Sequence, residues 1–266
     1  MLDNPLFAMK NVSFYYHPRE PIFEDISIDI KSGEAVCLLG ANGSGKSTLL
    51  KMFCGLVFPV RGQFEAFGQK ISEEAMEDDN FSKQYFQRVG FVFQNSDVQL
   101  FTTRVGDEIA FGPLQLGLGP AEVKQRVEDV LDMLKIRYLE DRSPHRLSGG
   151  EKKRVAVASV LALNPEVLIL DEPTNGLDPR TQRGLVELLL ELNQIGRTII
   201  ISTHNLELAH TLSRRALVIS EEHKIVYDGS TREALDNRDL LIAVNLIDEY
   251  SHRHGEVEHT HLYKHG

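Results

Sequence analysis

The chain has no tryptophan, only two cysteines in 266 residues, and no apolar run approaching the roughly 18 residues needed to cross a membrane as a helix. Cys37 and Cys54 lack the paired spacing of a zinc site or a disulfide framework, so reduced cytosolic thiols are expected. The opening residues, Met1-Leu-Asp-Asn-Pro-Leu-Phe7, show neither the basic region nor the apolar block of a secretory signal, and a protein soluble by itself is expected. Positive charge is also short. Lys and Arg number 29 against 39 Asp and Glu, a net charge of −10, which opposes a broad nucleic-acid surface, and no nucleic-acid partner is expected. Internal repeats at solenoid periods are missing as well. What the chain does have is ordinary apolar content, 42%, enough to fill the core of one large α/β domain or two small ones.

Glycine is concentrated where it carries chemistry. Gly40-Ala-Asn-Gly-Ser-Gly-Lys-Ser-Thr48 fits G-x-x-x-x-G-K-[ST], and the apolar segment Glu34-Ala-Val-Cys-Leu-Leu39 before it reads as a buried strand. Gly40, Gly43 and Gly45 free the backbone to turn successive N–H groups inward, making an anion nest for phosphates. Lys46 is expected to reach the β- and γ-phosphates and Ser47 to offer a hydroxyl to Mg²⁺. The helix that follows adds the positive end of its dipole. Ala41, Asn42, Ser44 and Thr48 complete the candidate phosphate cradle. A second pair, Asp171-Glu172, directly follows the apolar run Val167-Leu-Ile-Leu170, at a strand end where parallel sheets present ligand-binding groups. There Asp171 is expected to hold Mg²⁺ and Glu172 to polarise an attacking water.

Strand and helix patterns alternate along most of the chain. Met9 to Ile30 alternates like an antiparallel piece, with Ile26, Ile28 and Ile30 on one face. Val89 to Phe93, Thr198 to Ser202 and Ala216 to Ile219 read as further strands. Helices are predicted over Ala121–Ile136 after Gly119-Pro120, over Val155–Leu163, and around Leu185, Leu188, Leu189 and Leu192. Such alternation implies a mainly parallel sheet covered by helices. After Asp228 the character changes: Arg232 to Tyr250 reads as helical, with Leu240, Leu241, Val244 and Ile247 as an apolar stripe for a neighbour or for the chain's own domain. The division expected is a nucleotide-binding domain over 1–228 and a C-terminal helical extension with a histidine-rich tail over 229–266.

The motifs stand in an order that resembles the ATP-binding-cassette (ABC) ATPases. Tyr16 matches the aromatic that stacks on adenine, and Gln94 matches the glutamine linking the metal site to the transporter-facing surface. Leu147-Ser-Gly-Gly-Glu151 matches the signature, Asn175-Gly-Leu-Asp-Pro179 the loop that crosses between subunits with Asp178 as its acid, and His204 the histidine at the γ-phosphate. The resemblance implies a P-loop NTPase fold with an N-terminal antiparallel β subdomain and a helical signature subdomain. It also implies Mg²⁺ held by Ser47, Gln94 and Asp171, and ATP hydrolysis assisted by Lys46, Glu172, His204 and Gln94. Ser148, Gly149 and Gly150 would address nucleotide held by a second ATPase subunit, a homodimer being favoured. Glu151 stands where many members have Gln and brings a carboxylate near the nucleotide; Ala41 stands where Pro is common.

Within the family, a chromosome or repair ATPase needs a long coiled coil between Gln94 and Leu147, and a translation-type protein carries two cassettes; neither fits one phosphate loop and one ordinary helical region. A non-transport P-loop phosphotransferase would leave the signature and Asp178 without a task. Phe91-Val-Phe-Gln-Asn-Ser-Asp-Val-Gln-Leu-Phe101 and Asp107-Glu-Ile-Ala-Phe-Gly-Pro113 resemble the ATPases of energy-coupling-factor importers of vitamins, cobalt or nickel. This implies a protein peripheral on the cytoplasmic face of the membrane, working with a transmembrane coupling subunit and a substrate-binding membrane subunit. Gln99 to Phe111 is the expected docking surface, with Phe101 as a contact. His252, His254, His259, His261 and His265 form a tail of imidazoles suited to transition metals, which favours cobalt or nickel over a vitamin.

Overall fold

The computed structural model describes residues 5–17, 20–248, 252–254 and 257–259, the last two stretches as backbone alone. β1 (Phe7–His17) and β2 (Glu20–Ile30) pair antiparallel, and Phe23, Ile26, Ile28 and Ile30 of β2 are buried while Glu24, Ser27 and Asp29 face solvent. The alternation skips a beat between Phe23 and Ile26. Asp25 and Asn11 there take left-handed conformations, φ 54° and 51°, and Asn11 Nδ2 donates to Asp25 Oδ1 at 2.7 Å, an irregularity that restores the apolar face.

β3 (Ala35–Leu39) leads through the glycine loop into α1 (Lys46–Phe53). β4 (Arg61–Ala66) then returns to the other edge of β1 and β5 (Gln69–Lys70) pairs with it, giving an antiparallel sheet in the order β2-β1-β4-β5. Periodicity does not announce β4, because Phe64 is its only large apolar residue. Next come α2 (Glu73–Met76), α3 (Asp79–Arg88) with Asp78 capping Asn80 N and Phe81 N, and β6 (Val89–Val92).

A helical layer follows, made of α4 (Val105–Gln115), α5 (Pro120–Met133) and α6 (Gly149–Leu161). Val105, Ile109, Val123, Val127, Leu131, Val155 and Ala158 form its own core. The chain then supplies β7 (Val167–Asp171), α7 (Pro179–Gln194), β8 (Thr198–Thr203), α8 (Leu206–Leu212), β9 (Arg215–Ile219) and β10 (Ile225–Ser230). The main sheet has the order β10-β9-β3-β8-β7-β6, parallel except for β10.

Every residue of β7 and β8 is buried, as strands covered on both faces must be. Their alternate side chains go to different cores. Val167, Ile169 and Ile200 pack with Phe7, Phe53 and Phe64 toward the antiparallel sheet, whereas Leu168, Leu170, Ile199 and Ile201 pack with Leu185, Leu189 and Leu208 of the helices. The fold is thus the α/β arrangement expected, a mainly parallel sheet with an antiparallel sheet packed on one face and helices on the other, and a helical layer with a core of its own that meets the sheet at β6.

The C-terminal segment corrects one expectation. In place of a helix from Arg232 to Tyr250 there are two short ones, α9 (Thr231–Asp236) and α10 (Arg238–Ala243). Asn237 leaves helical geometry at φ −87°, ψ 86°, and its side chain accepts from Leu240 N at 3.0 Å, so a residue that competes for backbone donors ends one helix and caps the next. Ala234 and Val244 are buried against the helix-covered face of the main sheet, and Leu241 is buried too. The apolar stripe therefore packs on the chain's own domain. β10 runs across residue 228, and Tyr250 lies outside the described residues. β11 (His252–His254) and β12 (Val257–His259) pair antiparallel.

Ile200 is fully buried at the centre of β8. Ile200→Ala is expected to cost about 2–5 kcal/mol of stability, read as a lowered midpoint with unchanged slope in urea unfolding.

Candidate functional site

Parallel register assembles the site. Leu39 of β3 lies opposite Thr203 of β8, Asp171 of β7 opposite Ser202, and Leu170 opposite Val92 of β6. Gly40, His204, Asp171, Glu172 and Gln94, from four segments distant in sequence, therefore leave the sheet at the same edge.

At the first strand end the loop has the dihedrals of a nest: Gly43 and Gly45 sit at φ 85° and 105°. A Cβ on Gly45 would stand 2.8 Å from Phe23 Cζ, and one on Gly40 2.4 Å from Ile219 O, so side chains are excluded by packing as well as by backbone geometry. Gly45 caps α1 with no side-chain acceptor, leaving the first helical amides to an anion. Lys46 is buried and its Nζ donates to Gly40 O at 2.7 Å and Ala41 O at 2.9 Å, which holds the ammonium across the loop. Burial lowers its pKa, while the charges of Glu172 and Asp171 oppose that shift. Ser44 Oγ is buried without a hydrogen-bond partner. An unmet buried hydroxyl costs about 1–3 kcal/mol, and a phosphate oxygen in the nest would satisfy it. Asn42 and Gly43 are exposed, and Ser47 is half-buried. Thr48 Oγ1 lies 3.5 Å from the hydroxyl of Tyr16, whose exposed ring packs edge-on to Phe14, so an aromatic face stands beside the cradle.

At the other strand ends, Asp171 and Glu172 are both buried. Ser202 Oγ donates to Asp171 Oδ1. Glu172 takes φ 44°, which costs a non-glycine residue about 1–3 kcal/mol. Its N–H is held by Ser202 O and Ser202 Oγ, both at 3.1 Å. Thr203 Oγ1 donates to Glu172 Oε2 at 3.3 Å, and His204 Nδ1 lies 2.9 Å from Glu172 Oε1. Facing an ionised carboxylate, Nδ1 is the ring nitrogen that carries the proton, which leaves Nε2 an acceptor in the neutral imidazole and a donor in the imidazolium. Ser47, Asp171 and the amide of Gln94 carry hard oxygens of the kind that would suit Mg²⁺. The cradle and the carboxylate pair fit Mg-ATP.

The signature lies elsewhere. Ser148 caps α6: its Oγ accepts from Glu151 N, while Glu151 Oε2 accepts from Ser148 N at 2.9 Å and from Ser148 Oγ at 2.8 Å, a reciprocal capping box. These bonds, the backbone donor first, hold the Glu151 carboxyl below its usual range. Glu151 is thus a structural acceptor at the head of α6. Gly149 has open space where a Cβ would be, and Gly150 has Leu177 and Thr181 as its nearest neighbours. Asp178, exposed, caps α7 by accepting from Arg180 N, Thr181 N and, at 2.6 Å, Thr181 Oγ1, and these bonds lower its pKa, the Thr181 hydroxyl first. Neither Ser148 nor Asp178 is joined by these bonds to its own chain's cradle.

Two groups escape the sequence reading. Ser202 and Thr203 organise the carboxylates, and their only signal is polarity at the end of an apolar strand. Lys153 is buried within α6, and its Nζ donates to Phe93 O and Gln94 O, each at 2.9 Å. Burial pushes its pKa down to about 8, against the pull of Asp171. Of the tail histidines, His252 lies opposite His259 in backbone register, while His261 and His265 fall outside the described residues.

A family model described as ABC transporter matches residues 23–175. A nickel import ATP-binding protein, LarO, of Lactiplantibacillus plantarum is 46% identical over 224 residues, covering 84% of this chain and 92% of the relative. An energy-coupling factor transporter ATP-binding protein, EcfA2, of Methanospirillum hungatei is 41% identical over 237 residues, covering 89% of this chain and 58% of the relative. Among solved structures, the ATP-binding cassette MJ0796, dimeric in a post-hydrolysis state with ADP and Pi, superposes with a TM-score of 0.77 at 27% identity, over 85% of this chain and 99% of that one. By the family match over residues 23–175 and by these relatives, the chain belongs to the ABC transporter ATP-binding family and is an ATPase.

Proposed function

We propose that the chain is the ATPase of an energy-coupling-factor importer, that two copies clamp ATP at their seam, and that hydrolysis drives uptake of nickel or cobalt. The observation that carries this is the division of phosphate-binding groups: a complete cradle at the sheet edge, and a separate, serine-capped helix start with open space over Gly149. The second set has use for a triphosphate only when another cassette supplies it. MJ0796, dimeric with ADP and Pi, supports that reading.

In this arrangement the loop amides, Lys46 and the hydroxyl of Ser44 hold the β- and γ-phosphates, and Tyr16 offers its face to adenine. Mg²⁺, held by Ser47, Asp171 and Gln94, would offset charge on the phosphate oxygens. Glu172, fixed by Ser202, Thr203 and His204, orients the attacking water for in-line displacement. The partner's signature amides steady the γ-phosphoryl group as its charge spreads, and His204 adds a donor at Nε2 in the state where its ring carries both protons. Glu172 and His204 act as a unit, since one carries the hydrogen bond that orients the other.

Among the described residues no helix is long and apolar enough to cross a membrane, and this reading assigns the coupling and substrate-binding membrane subunits to other chains. Phe101, 60% exposed and edge-on to Phe111 at 4.9 Å, supports docking through the Gln99–Phe111 segment on the cytoplasmic face. Nickel is favoured by the likeness to LarO, and both metals by the histidine tail.

Glu172→Gln is expected to bind ATP, to lose about 100-fold or more in steady-state turnover, and to accumulate an ATP-bound dimer in light scattering; undiminished phosphate release removes Glu172 from its role. The intact chain is expected to bind Ni²⁺ or Co²⁺ more tightly than a chain ending at Tyr250, and equal calorimetric isotherms would make the tail a spacer. Membranes carrying the native complex are expected to take up radioactive nickel or cobalt only with ATP. Uptake of a vitamin in place of either metal overturns the substrate assignment.

A further inference from the structure

Lys153 presents a chemical problem that the cassette's known parts leave unexplained. Lysine is almost never fully buried without a partner, yet its side chain is shut in, and Nζ spends two donors on consecutive carbonyls, Phe93 O and Gln94 O. Those carbonyls lie just past the end of β6, where the ladder to β7 has stopped, so they are acceptors in need of a donor. The donor comes from the first turns of α6, the helix that begins at the signature serine.

Two further ties run between the same pair of segments. Gln99 accepts from Phe93 N at 3.2 Å and donates to Ala156 O of α6 at 2.9 Å, and Lys152 pairs with Asp97 at 2.5 Å. Residues 93–99 are thus hung from one face of α6. Of the three ties, only Lys153 reaches the backbone of Gln94 itself.

We propose that Lys153 is a positioning residue that pins the Gln94 segment to the signature helix, so that both travel as one body when α6 meets nucleotide held by a second copy. This rests on the two-copy arrangement proposed above. Contact between partner nucleotide and Ser148 then moves Gln94 at the metal site and Phe101 at the docking surface together. Without the pin, ATP is bound but its arrival is not transmitted.

The test uses the full chain. Both native cysteines are buried, Cys37 at 0% and Cys54 at 3% exposure, so thiols introduced at Val98 and Ile195, which are 69% and 74% exposed, take spin labels selectively. In a Glu172→Gln background, ATP is expected to shift the 98–195 distance distribution, Lys153→Met to abolish the shift, and Lys153→Arg, which keeps a two-pronged cationic donor, to restore it. In chains retaining Glu172, Lys153→Met should lower kcat about tenfold or more with KM for ATP within about twofold, a split that general loosening of the fold would not produce. A shift and kcat unchanged in Lys153→Met overturn the proposal, as does a wild-type chain that hydrolyses ATP with no displacement at all. Should Lys153→Met fail to fold, Lys153→Leu, which likewise carries no donor, replaces it: a preserved shift overturns the pin, and a lost shift rescued by Arg supports it. A wild-type chain without ATP hydrolysis overturns the proposed function as well, which separates the two failures.

Discussion

In-register parallel pairing of β3, β8, β7 and β6 is the constraint on which the nucleotide site depends. Side chains alternate with a period of two along a strand, so a slip of one residue in β8 would turn its core-facing isoleucines about and carry Ser202 away from Asp171. Burial prevents such a slip. All of β7 and β8 is enclosed, with alternate residues claimed by two different cores, so any other register puts side chains of the wrong size and shape into both cores at once. The hydrophobic interior thereby fixes the positions of polar groups at the sheet's edge.

Those polar groups are held by one another more than by solvent. Glu172 occupies a left-handed conformation because Ser202 grips its amide from two oxygens, and its carboxylate is shared between Thr203 and His204. Lys46 is folded onto the carbonyls of its own loop, with a glycine cradle and an unmet Ser44 hydroxyl around it. Lys46 and Ser44 are buried while Asn42 and Gly43 stay exposed, so the cradle joins enclosed polar groups, whose attraction for a polyphosphate the low local dielectric strengthens, to an open mouth. The strain at Glu172 is compensated by the neighbouring bonds, which also set the direction of its carboxylate.

Much of the site was legible because its chemistry is local. A phosphate nest needs glycines at fixed offsets from a lysine, and Gly40 to Thr48 carries that pattern on contiguous residues; Asp171 and Glu172 follow an apolar run that could only be a buried strand. Ser148 followed by Glu151 announces a helix start, although Glu151 proved to serve Ser148 as a cap. Other features rested on long-range contacts. β4 has one large apolar residue and exists because β1 has a free edge, and Asn237 divides an otherwise helical stretch by offering its own side chain as an acceptor. Lys153 was invisible among Glu151-Lys-Lys-Arg154, since only folding distinguishes a solvated lysine from one enclosed against Phe93 and Gln94.

Sequence by itself determined the family and the ATPase activity, because nucleotide-binding motifs are short and their spacing is set by the phosphate chain they must fit. Tertiary structure decided which serines and threonines orient the carboxylates, which lysine joins the signature helix to the Gln94 segment, and that the C-terminal apolar stripe covers its own domain. Those outcomes depend on which segments meet across the sheet. Proximity of that kind is created by burying two faces of a strand at once, and no local pattern of residues encodes it.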